Sequence, residues 1–291
     1  MEKLLTIFTP TFNRADCLSR LYDSLCRQSE SDFEWLIVDD GSTDNTNSLV
    51  STWILDNKIS IRYFYQKNAG KSMAHNNGVQ KTNTELFFCV DSDDTLVEDA
   101  VKVISQVWKQ HNKNNTGLLL KKFDLTLKKS VTFIPKDVHE STLYDAYNSH
   151  GLKGDTALVF KTSVINKYEF PHFEGEKFVP ESYLYDLIDT NGPLIIVDKS
   201  IYNCEYLNDG YTSNMMKLLC NNPKGYTAYI SQRLSLHDKT FISRYLDSAR
   251  YVAMMLTFNS KKILVDSVYP FYTILAFPLG YVLFLRKYKN L

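Results

Sequence analysis

The sequence of 291 residues has no excess of charge of either sign, because 33 Lys and Arg residues balance 33 Asp and Glu residues. A chain without net charge has no overall field that attracts nucleic acid, so we expect no nucleic-acid partner, and any anionic ligand must be bound by a local site. Apolar residues, in contrast, are abundant: 44% of the residues are hydrophobic, with 19 Tyr and 17 Phe. This composition excludes a disordered chain.

The sequence also lacks closely paired cysteines. Its five cysteines are an odd number without a zinc-type or thioredoxin-type pair, which indicates buried thiols in a reducing compartment. Residues 1–9 contain neither a long apolar run nor a small-residue cleavage site. We therefore expect a protein that stays in the cytoplasm.

Four short apolar runs alternate with segments of helical spacing in the first part of the chain. Each run is rich in branched or aromatic residues, as in a strand that is covered on both faces. The runs are residues 4–9, 34–40, 59–65 and 85–90. Apolar residues at helical spacing are Leu18, Leu21, Tyr22 and Leu25, and again Val101, Ile104 and Trp108. This succession predicts a doubly wound, Rossmann-like α/β fold with a mostly parallel sheet.

After Phe123 the alternation of strands and helices breaks down, and polar stretches separate the apolar runs. We interpret this part as a mixed segment attached to the sheet, suited to holding a second ligand. A helix is predicted for residues 241–258 by its apolar spacing. The expected regions are residues 1–125, residues 126–225, and a helical C-terminal region of residues 226–291.

The C-terminal region contains a segment without charge, residues 267–285, and a basic cluster follows it directly at Arg286, Lys287 and Lys289. Its length is close to the roughly 20 residues that cross a bilayer, but Pro270, Pro278 and Gly280 interrupt it. An interfacial or re-entrant segment at the anionic cytoplasmic leaflet is therefore the favoured interpretation. The alternative is a helix pair that packs on the sheet.

Acidic residues follow the fourth apolar run at Asp91, Asp93 and Asp94. Ligands of open α/β sheets gather beyond the carboxyl ends of the strands, and residues two apart on an extended segment point the same way. Carboxylates at such a place suit Mg²⁺ or Mn²⁺ held jointly with a diphosphate. The alternative is a turn that caps a helix starting near Glu98.

Two further segments reach the same predicted edge. Asp39 and Asp40 end the second run, where one carboxylate can bind a base or ribose hydroxyl while the other stays in solvent; the alternative is a plain turn. After the third run, Gly70 allows close backbone approach and Lys71 places a positive charge near a helix start. The spacing of a P-loop is absent there, which disfavours a Walker-type NTPase.

The same helix carries residues that we interpret structurally. Ala74 and Gly78 lie one turn apart and permit tight packing on the sheet. His75 on its own is more typical of a structural histidine than of a catalytic one.

Three strings occur in order: TIFTPTFNRADCLSRLYDSLCRQSESDFEWLIVDDGSTDNT, NAGKSMAHNNGV and FFCVDSDDTL. Together they resemble the family-2 glycosyltransferases of the GT-A fold. The resemblance implies a nucleotide-diphosphate sugar donor, a divalent metal (Mn²⁺ or Mg²⁺) and an inverting displacement. It implies that residues 1–125 bind the nucleotide sugar and residues 126–225 the acceptor.

The resemblance also implies roles for individual residues. Thr9 and Asp40 would contact the nucleoside, with Asn13 and Arg14 in the same loop, and Lys71 would contact the nucleotide. In the acidic motif, Asp91 would contact ribose or sugar and Asp93 would hold the metal. Asp94 would also bind the metal-donor complex, and as an extra carboxylate it leaves the register of the metal ligand open.

The sequence departs from the family pattern in two places. Ala74-His75-Asn76 stands where many members have Ala-Arg-Asn, and GEKFVPES stands where many have a Glu-Asp pair that supplies the catalytic base. Glu181, just before a predicted helix start, is our candidate base, with Glu176 and Glu174 as rivals. The alternative for Glu181 is an acidic first turn that complements the helix dipole.

The function expected from the resemblance is transfer of a sugar, from a UDP-sugar, to a saccharide or lipid-linked saccharide in capsule or other envelope polysaccharide synthesis. The enzyme would lie on the inner face of the cell membrane. Sugar-1-phosphate nucleotidyltransferases are a rival class, but they place a glycine-rich loop after the first strand, where this chain has residues 9–14 without glycine. A degenerate nucleotide-sugar-binding or membrane-scaffolding protein is the second rival.

Overall fold

The computed structural model describes residues 3–111, 114–205, 215–236 and 240–289. The chain forms two compact units, the first of residues 1–169 and 187–206 and the second of residues 170–186 and 207–291. The functional regions bounded at residues 125 and 225 stay a prediction.

The first unit is built on a sheet in the order β3-β2-β1-β4-β9-β6-β10-β5, with β7 beside β6 and β8 beside β10. The longer strands are β1 (Leu5–Thr11), β2 (Phe33–Asp39), β3 (Ile61–Tyr65), β4 (Leu86–Cys89), β6 (Gly117–Asp124), β9 (Thr156–Lys161) and β10 (Leu194–Cys204). The two-residue strands are β5 (Thr95–Leu96), β7 (Lys129–Ser130) and β8 (Glu140–Ser141).

The direction of these strands confirms the predicted mostly parallel sheet. β1 pairs in parallel with β2 and β4, β2 with β3, and β6 with β10. Between these groups β9 runs antiparallel to both β4 and β6. The four apolar runs predicted as parallel strands are β1 to β4.

Helices of the first unit cover the sheet and connect its strands. They are α1 (Ala15–Cys26), α2 (Thr46–Asp56), α3 (Lys71–Gln80), α4 (Ala100–His111), α5 (Leu143–Asn148) and α6 (Thr162–Ile165). The apolar stripe predicted for α1 is buried, and Tyr22 from that stripe stacks on Trp53 of α2 with ring centroids 4.3 Å apart. The ring centroids of Trp35 in β2 and Trp53 are 5.8 Å apart, so β2, α1 and α2 share one aromatic core.

α3 approaches β1 closely at Gly78, as the sequence predicts. A Cβ atom added there would lie 2.3 Å from Cε2 of Phe8, so glycine is required for this approach. His75, one turn earlier, is buried against the rings of Phe8 and Phe87. These contacts agree with the interpretation of His75 as a structural residue, which stays a prediction.

The second unit is helical. Its helices are α8 (Met215–Asn221), α9 (Pro223–Leu236), α10 (Phe241–Thr257) and α11 (Pro270–Leu283), followed by a π-helical turn (Phe284–Tyr288). α7 (Ser182–Asp189) begins in the second unit and ends in the first. The core of the second unit is formed by residues of α9 and α10 with Tyr288. In the parts of the chain that the structure describes, no helix has the length and apolar character to cross a bilayer.

Candidate active site

The site is built at the carboxyl edge of the sheet, where neighbouring strands end level with one another. Thr11 pairs with Asp39, and Asp39 with Tyr65, in the register of β1, β2 and β3. Beyond the strand ends, the amide of Asp40 donates to the carbonyl of Thr11 over 2.8 Å, and the amide of Gln66 donates to the carbonyl of Asp39 over 2.9 Å. The loops that follow these strands therefore start from one edge.

Asp39 and Asp40 are both buried at this edge. The Asp39 carboxylate accepts hydrogen bonds from the Tyr63 hydroxyl (2.6 Å) and from the Ser42 amide (2.7 Å). The expectation that one of the two carboxylates stays in solvent is therefore wrong, because Tyr63 and the turn after β2 cover Asp39. Burial and the Asp39 carboxylate raise the pKa of Tyr63, which keeps this phenol protonated as a donor.

The Asp40 carboxylate holds the loop that leads into α3. Its Oδ1 accepts from the Gln66 side chain and from the Ala69 amide, both over 2.8 Å, and its Oδ2 accepts from the Gly70 amide over 2.7 Å. Gly70 has a φ of 94°, a conformation that L side chains rarely adopt. Asp40 thus fixes the backbone directly before Lys71.

The loop after β1 is fastened to the loop after β2 through Asn13. Asn13 has a φ of 52°, its amide donates to Ser42 Oγ (2.8 Å), and its Oδ1 accepts from the Thr43 amide (2.8 Å). Asp44 from the second loop accepts from the Ala15 amide at the start of α1 (3.1 Å). These bonds hold in place the segment that carries Arg14.

Thr9 and Thr11 lie at different depths of β1. Thr9 is fully buried within the strand, and its hydroxyl accepts a hydrogen bond from Trp35 Nε1 over 3.0 Å, so the structure does not bring this residue to the edge. Thr11 ends the strand, and its buried Oγ1 has no hydrogen-bond partner among the residues that the structure describes. The polar group at the end of this strand is therefore that of Thr11, which sequence reasoning missed.

Lys71 and Asp91 form an ion pair at the edge, with 2.7 Å between Nζ and Oδ1. Burial acts to raise the pKa of Asp91, but the charges of Lys71 and Lys122 outweigh it and lower this pKa. Asp91 is therefore ionised in the folded protein, and the structure brings two predicted site residues into direct contact.

Asp93 is half-buried two residues further along. Burial and the charge of Asp91 raise its pKa, and the positive charges of Arg14 and Lys71 oppose this rise without cancelling it. Arg20 of α1 donates from Nη2 to the Asp93 carbonyl over 3.0 Å and so holds the loop. A bound cation would stabilise the ionised form of this carboxylate.

Asp94 turns towards β10 instead. It is buried, it is hydrogen-bonded to the Tyr202 hydroxyl, and its Oδ1 accepts from the Glu205 amide over 3.3 Å. The Tyr202 oxygen also accepts from the Asp91 amide over 3.0 Å. Burial and the charge of Asp91 raise the pKa of Asp94 to about 7. Asp94 and Tyr202 together tie the acidic loop to the sheet.

Lys122 is a second site residue that sequence reasoning missed. It lies in β6, its Nζ is 4.3 Å from the centre of the Tyr202 ring and 2.9 Å from Oδ2 of Asp155. Its charge lowers the pKa of Asp91. Neither Lys122 nor Tyr202 follows a strand end, so no local sequence signal marks them.

The donor set fits a hard divalent ion that takes further ligands from a substrate. Among the described residues no group of three His, Cys, Asp or Glu side chains is arranged to hold a metal ion. The carboxylate of Asp93, with that of Asp91 from the same loop, supplies oxygen ligands of the type that Mg²⁺ and Mn²⁺ prefer, whereas Asp94 is turned towards Tyr202. A site of this kind depends on a bound diphosphate for its remaining ligands.

The three candidate bases lie in the second unit. Glu176 is committed to a structural role, because its Oε1 accepts from the Lys224 amide (3.0 Å) and its Oε2 from the Gly225 amide (2.8 Å) at the start of α9. Glu181 is exposed directly before α7, whose start at Ser182 confirms the predicted helix. Glu174 is exposed in the preceding loop.

A doubly wound, mostly parallel sheet with acidic loops at its carboxyl edge is the architecture of the GT-A class predicted from the three motifs. The chain belongs to glycosyl transferase family 2, whose family model matches residues 6–167.

Relatives and solved structures agree with this membership. The poly(ribitol-phosphate) β-N-acetylglucosaminyltransferase TarP of Staphylococcus aureus is 26% identical over 282 residues, which are 91% of this chain and 83% of TarP. The chain spans only 18% of the length of two uncharacterized Rickettsia glycosyltransferases that it also matches.

Two solved structures show the same fold. S. aureus TarS 1-349 in complex with UDP-GlcNAc has a TM-score of 0.63 at 18% identity, covering 94% of this chain and 79% of that one. The mannosyltransferase PcManGT of Pyrobaculum calidifontis, in complex with GDP-Man and Mn²⁺, has a TM-score of 0.58 at 15% identity, covering 98% of this chain and 88% of that one. These likenesses confirm the predicted GT-A fold.

Proposed function

We propose that the protein transfers a sugar from a nucleotide-diphosphate donor to a saccharide acceptor by a single inverting displacement. The observation that carries this proposal is the edge at which Lys71, Asp91 and Asp93 gather beside loops held by Asp40 and Asn13. Cationic and acidic groups of this kind suit a diphosphate together with a divalent ion.

The residues of the first unit would bind and orient the donor. The end of β1 would face the nucleoside, with Asp40 holding the loop beside it. Lys71 and Arg14 would face the phosphates, and Asp91 the ribose or sugar. A divalent ion held by Asp93, with help from Asp91, would neutralise the charge that develops on the departing nucleoside diphosphate. Asp94 and Tyr202 would keep the loop in its binding conformation.

Glu181 would take the proton from the acceptor hydroxyl that attacks the anomeric carbon, while the bond from that carbon to the diphosphate breaks. Its support is twofold: Glu181 is exposed before α7, and its rival Glu176 already has both carboxylate oxygens bonded to backbone amides. One displacement needs a base and no covalent enzyme intermediate.

For the donor we propose a UDP-sugar, because a similar structure was solved with UDP-GlcNAc. Use of Mn²⁺ or Mg²⁺ is supported by the Mn²⁺ in the complex of PcManGT. For the acceptor we propose a lipid-linked saccharide of a bacterial envelope polysaccharide, extended on the inner face of the cell membrane. The name of TarP, which acts on poly(ribitol-phosphate), supports a cell-envelope role.

The test uses the full chain with a panel of UDP-, GDP- and dTDP-sugars, with and without Mn²⁺, and measures release of the nucleoside diphosphate. We expect metal-dependent release from a UDP-sugar. Asp93→Asn should abolish it with an unchanged circular dichroism spectrum, whereas the exposed Asp56→Asn should leave it intact. Normal turnover of the Asp93→Asn variant would refute the metal assignment.

Glu181 is tested in the same assay with an acceptor present. A general base contributes about 10²–10⁴-fold, so Glu181→Gln should lower kcat by that factor while the Kd for UDP stays the same. Glu174→Gln is the matched control. If Glu174→Gln loses activity and Glu181→Gln does not, Glu174 is the base. If the wild type binds the UDP-sugar but releases no UDP, the degenerate binding protein is favoured.

A further inference from the structure

α11 packs on α10 through its small residues. Thr273, Ala276 and Gly280 are its buried positions, spaced along one side of the helix. A Cβ atom at Gly280 would lie 2.6 Å from Cβ of Val252 and 2.8 Å from the carbonyl oxygen of Ala249, so the two helices are in close contact there. The inward side of α11 therefore has little room for a large side chain.

Most of the large apolar side chains of α11 are exposed, whereas Leu283 packs against the core of the second unit. The exposed fractions of the exposed side chains run from 37% for Leu285, just after the helix, to 70% for Phe271. The first turns of α10 add to this surface, since the exposed Phe241 has its ring centroid 5.4 Å from that of Tyr272. We call this surface the apolar face; it consists of Phe241, Phe271, Ile274, Leu275, Phe277, Tyr281, Val282 and Leu285.

This arrangement is the reverse of a surface helix in water, which buries its large apolar side chains and exposes polar ones. Apolar patches of this kind mark sites where a protein or a membrane binds. The apolar face therefore needs an occupant.

The charged residues beside the apolar face indicate what binds there. Residues 267–291 contain no Asp or Glu, and Arg286, Lys287 and Lys289 are exposed where the helical segment ends. A second copy of this segment would offer those cations no carboxylate, whereas an anionic bilayer offers phosphates beside an apolar interior. Tyr281 suits the boundary between the two.

We propose that the apolar face binds the surface of an anionic lipid bilayer, with α11 lying in the interface. The described helices lack the length to cross it, and a helix with an apolar face and flanking Lys and Arg inserts its apolar side chains at the headgroup boundary. The inference deepens the proposed function, on which it rests for the lipid-linked acceptor, by naming the surface that brings the enzyme to that acceptor.

The test is co-sedimentation of the full chain with vesicles of phosphatidylcholine, with and without phosphatidylglycerol. We expect binding to the anionic vesicles. Burial of each large apolar side chain strengthens binding by about tenfold or more, so the triple variant Phe271→Ser, Ile274→Ser, Phe277→Ser should bind at least about 1,000-fold more weakly than the wild type. The double variant Leu55→Ser, Phe133→Ser, at exposed positions elsewhere, should bind as the wild type does.

A second variant, Leu275→Ser with Val282→Ser, changes other residues of the apolar face and tests the inference if the triple variant misfolds. Both variants should unfold at the wild-type thermal midpoint. Replacing Arg286, Lys287 and Lys289 by Gln should weaken binding to anionic vesicles by about fivefold for each residue. Equal binding of wild type and both apolar variants would overturn the inference. A wild-type protein that forms a dimer, does not bind vesicles and is made monomeric by these substitutions would also overturn it.

A separate activity assay distinguishes this inference from the proposed function. Diphosphate release with a soluble acceptor should be unchanged in the variants. If the wild type releases no diphosphate, the proposed function is refuted, but the membrane-binding surface is not.

Discussion

At the scale of single residues, the acidic side chains of the edge differ in what neutralises them. Asp40 accepts three hydrogen bonds from the loop before α3, Asp91 pairs with Lys71, and Asp94 is bonded to Tyr202. Asp93 has a raised pKa because burial and Asp91 outweigh the cations near it. The pKa of Asp94 is raised for the same two reasons, but the Asp94 carboxylate is turned to Tyr202. Asp93 is therefore the carboxylate of this loop whose charge is left for a ligand to compensate.

His75 supplies a prediction on pH. Burial, followed by the charge of Lys71, lowers its pKa from 6.5 to about 3. The unfolded chain therefore takes up the proton first, and the free energy of unfolding falls as the pH drops from about 6.5 towards about 3, by up to about 1.4 kcal/mol per pH unit. We expect His75→Gln to flatten this slope in urea unfolding series, although the lost ring contacts lower stability at neutral pH.

The exposed His172→Gln serves as the control for this series and should keep the wild-type slope. A His75→Gln variant with an unchanged slope would show that another group is responsible for the acid sensitivity.

Site residues could be predicted from the sequence where they directly follow a strand. Asp40 and Asp91 are of this kind, and Lys71 could be predicted from the helix start after β3. The structure brings Lys71 and Asp91 into contact. Tyr202 and Lys122 could not be found in this way, because each lies inside a strand and is brought to the acidic loop by the order of strands in the sheet. The apolar run of residues 4–9 predicted the end of β1 at Thr9, whereas the strand continues to Thr11.

At the scale of elements, the contact of α3 with β1 depends on Gly78. Gly78→Ala gains about 1 kcal/mol of helix propensity, but its Cβ would lie 2.3 Å and 2.5 Å from two carbons of the Phe8 ring. We expect a net loss of about 1–3 kcal/mol in the free energy of unfolding, as for other overpacked cores, measured by urea denaturation.

Ser51→Ala on the exposed side of α2 is the matched control, with an expected change within about 0.5 kcal/mol. A stabilised Gly78→Ala variant would mean that Phe8 moves aside at little cost.

Elements with a strong local pattern were predictable: β1, β2 and β4 are mostly buried, and α1 and α4 carry apolar stripes. β3 is half-buried at the end of the sheet. The position of β9 in the sheet was not predictable. Its residues indicate a strand, but they do not show that it pairs with β4 and β6. The side of α11 that is buried could not be predicted from the sequence either, because nearly all its side chains are apolar. Only the packing of Gly280 against Val252 shows which side is buried.

At the scale of the whole molecule, ligand binding should be visible as local protection. If UDP and Mn²⁺ bind at the carboxyl edge, hydrogen exchange of the full chain should slow at residues 39–44, 66–72 and 91–94, since ligands that bind the native state suppress its opening. Asp93→Asn should remove the part of the protection that depends on Mn²⁺. Protection confined to α10 and α11 would place the ligand elsewhere.

The insertion of β9 between β4 and β6 has a consequence for synthesis on the ribosome. β1 to β4 and their helices emerge first, yet the free edge of β4 is covered by residues 156–161, which emerge more than sixty positions later. During that interval the nascent chain presents an open strand edge, a template for unwanted pairing with other chains. Translation pauses or chaperone contacts between β4 and β9 would therefore affect the yield of folded protein more than similar events after β10.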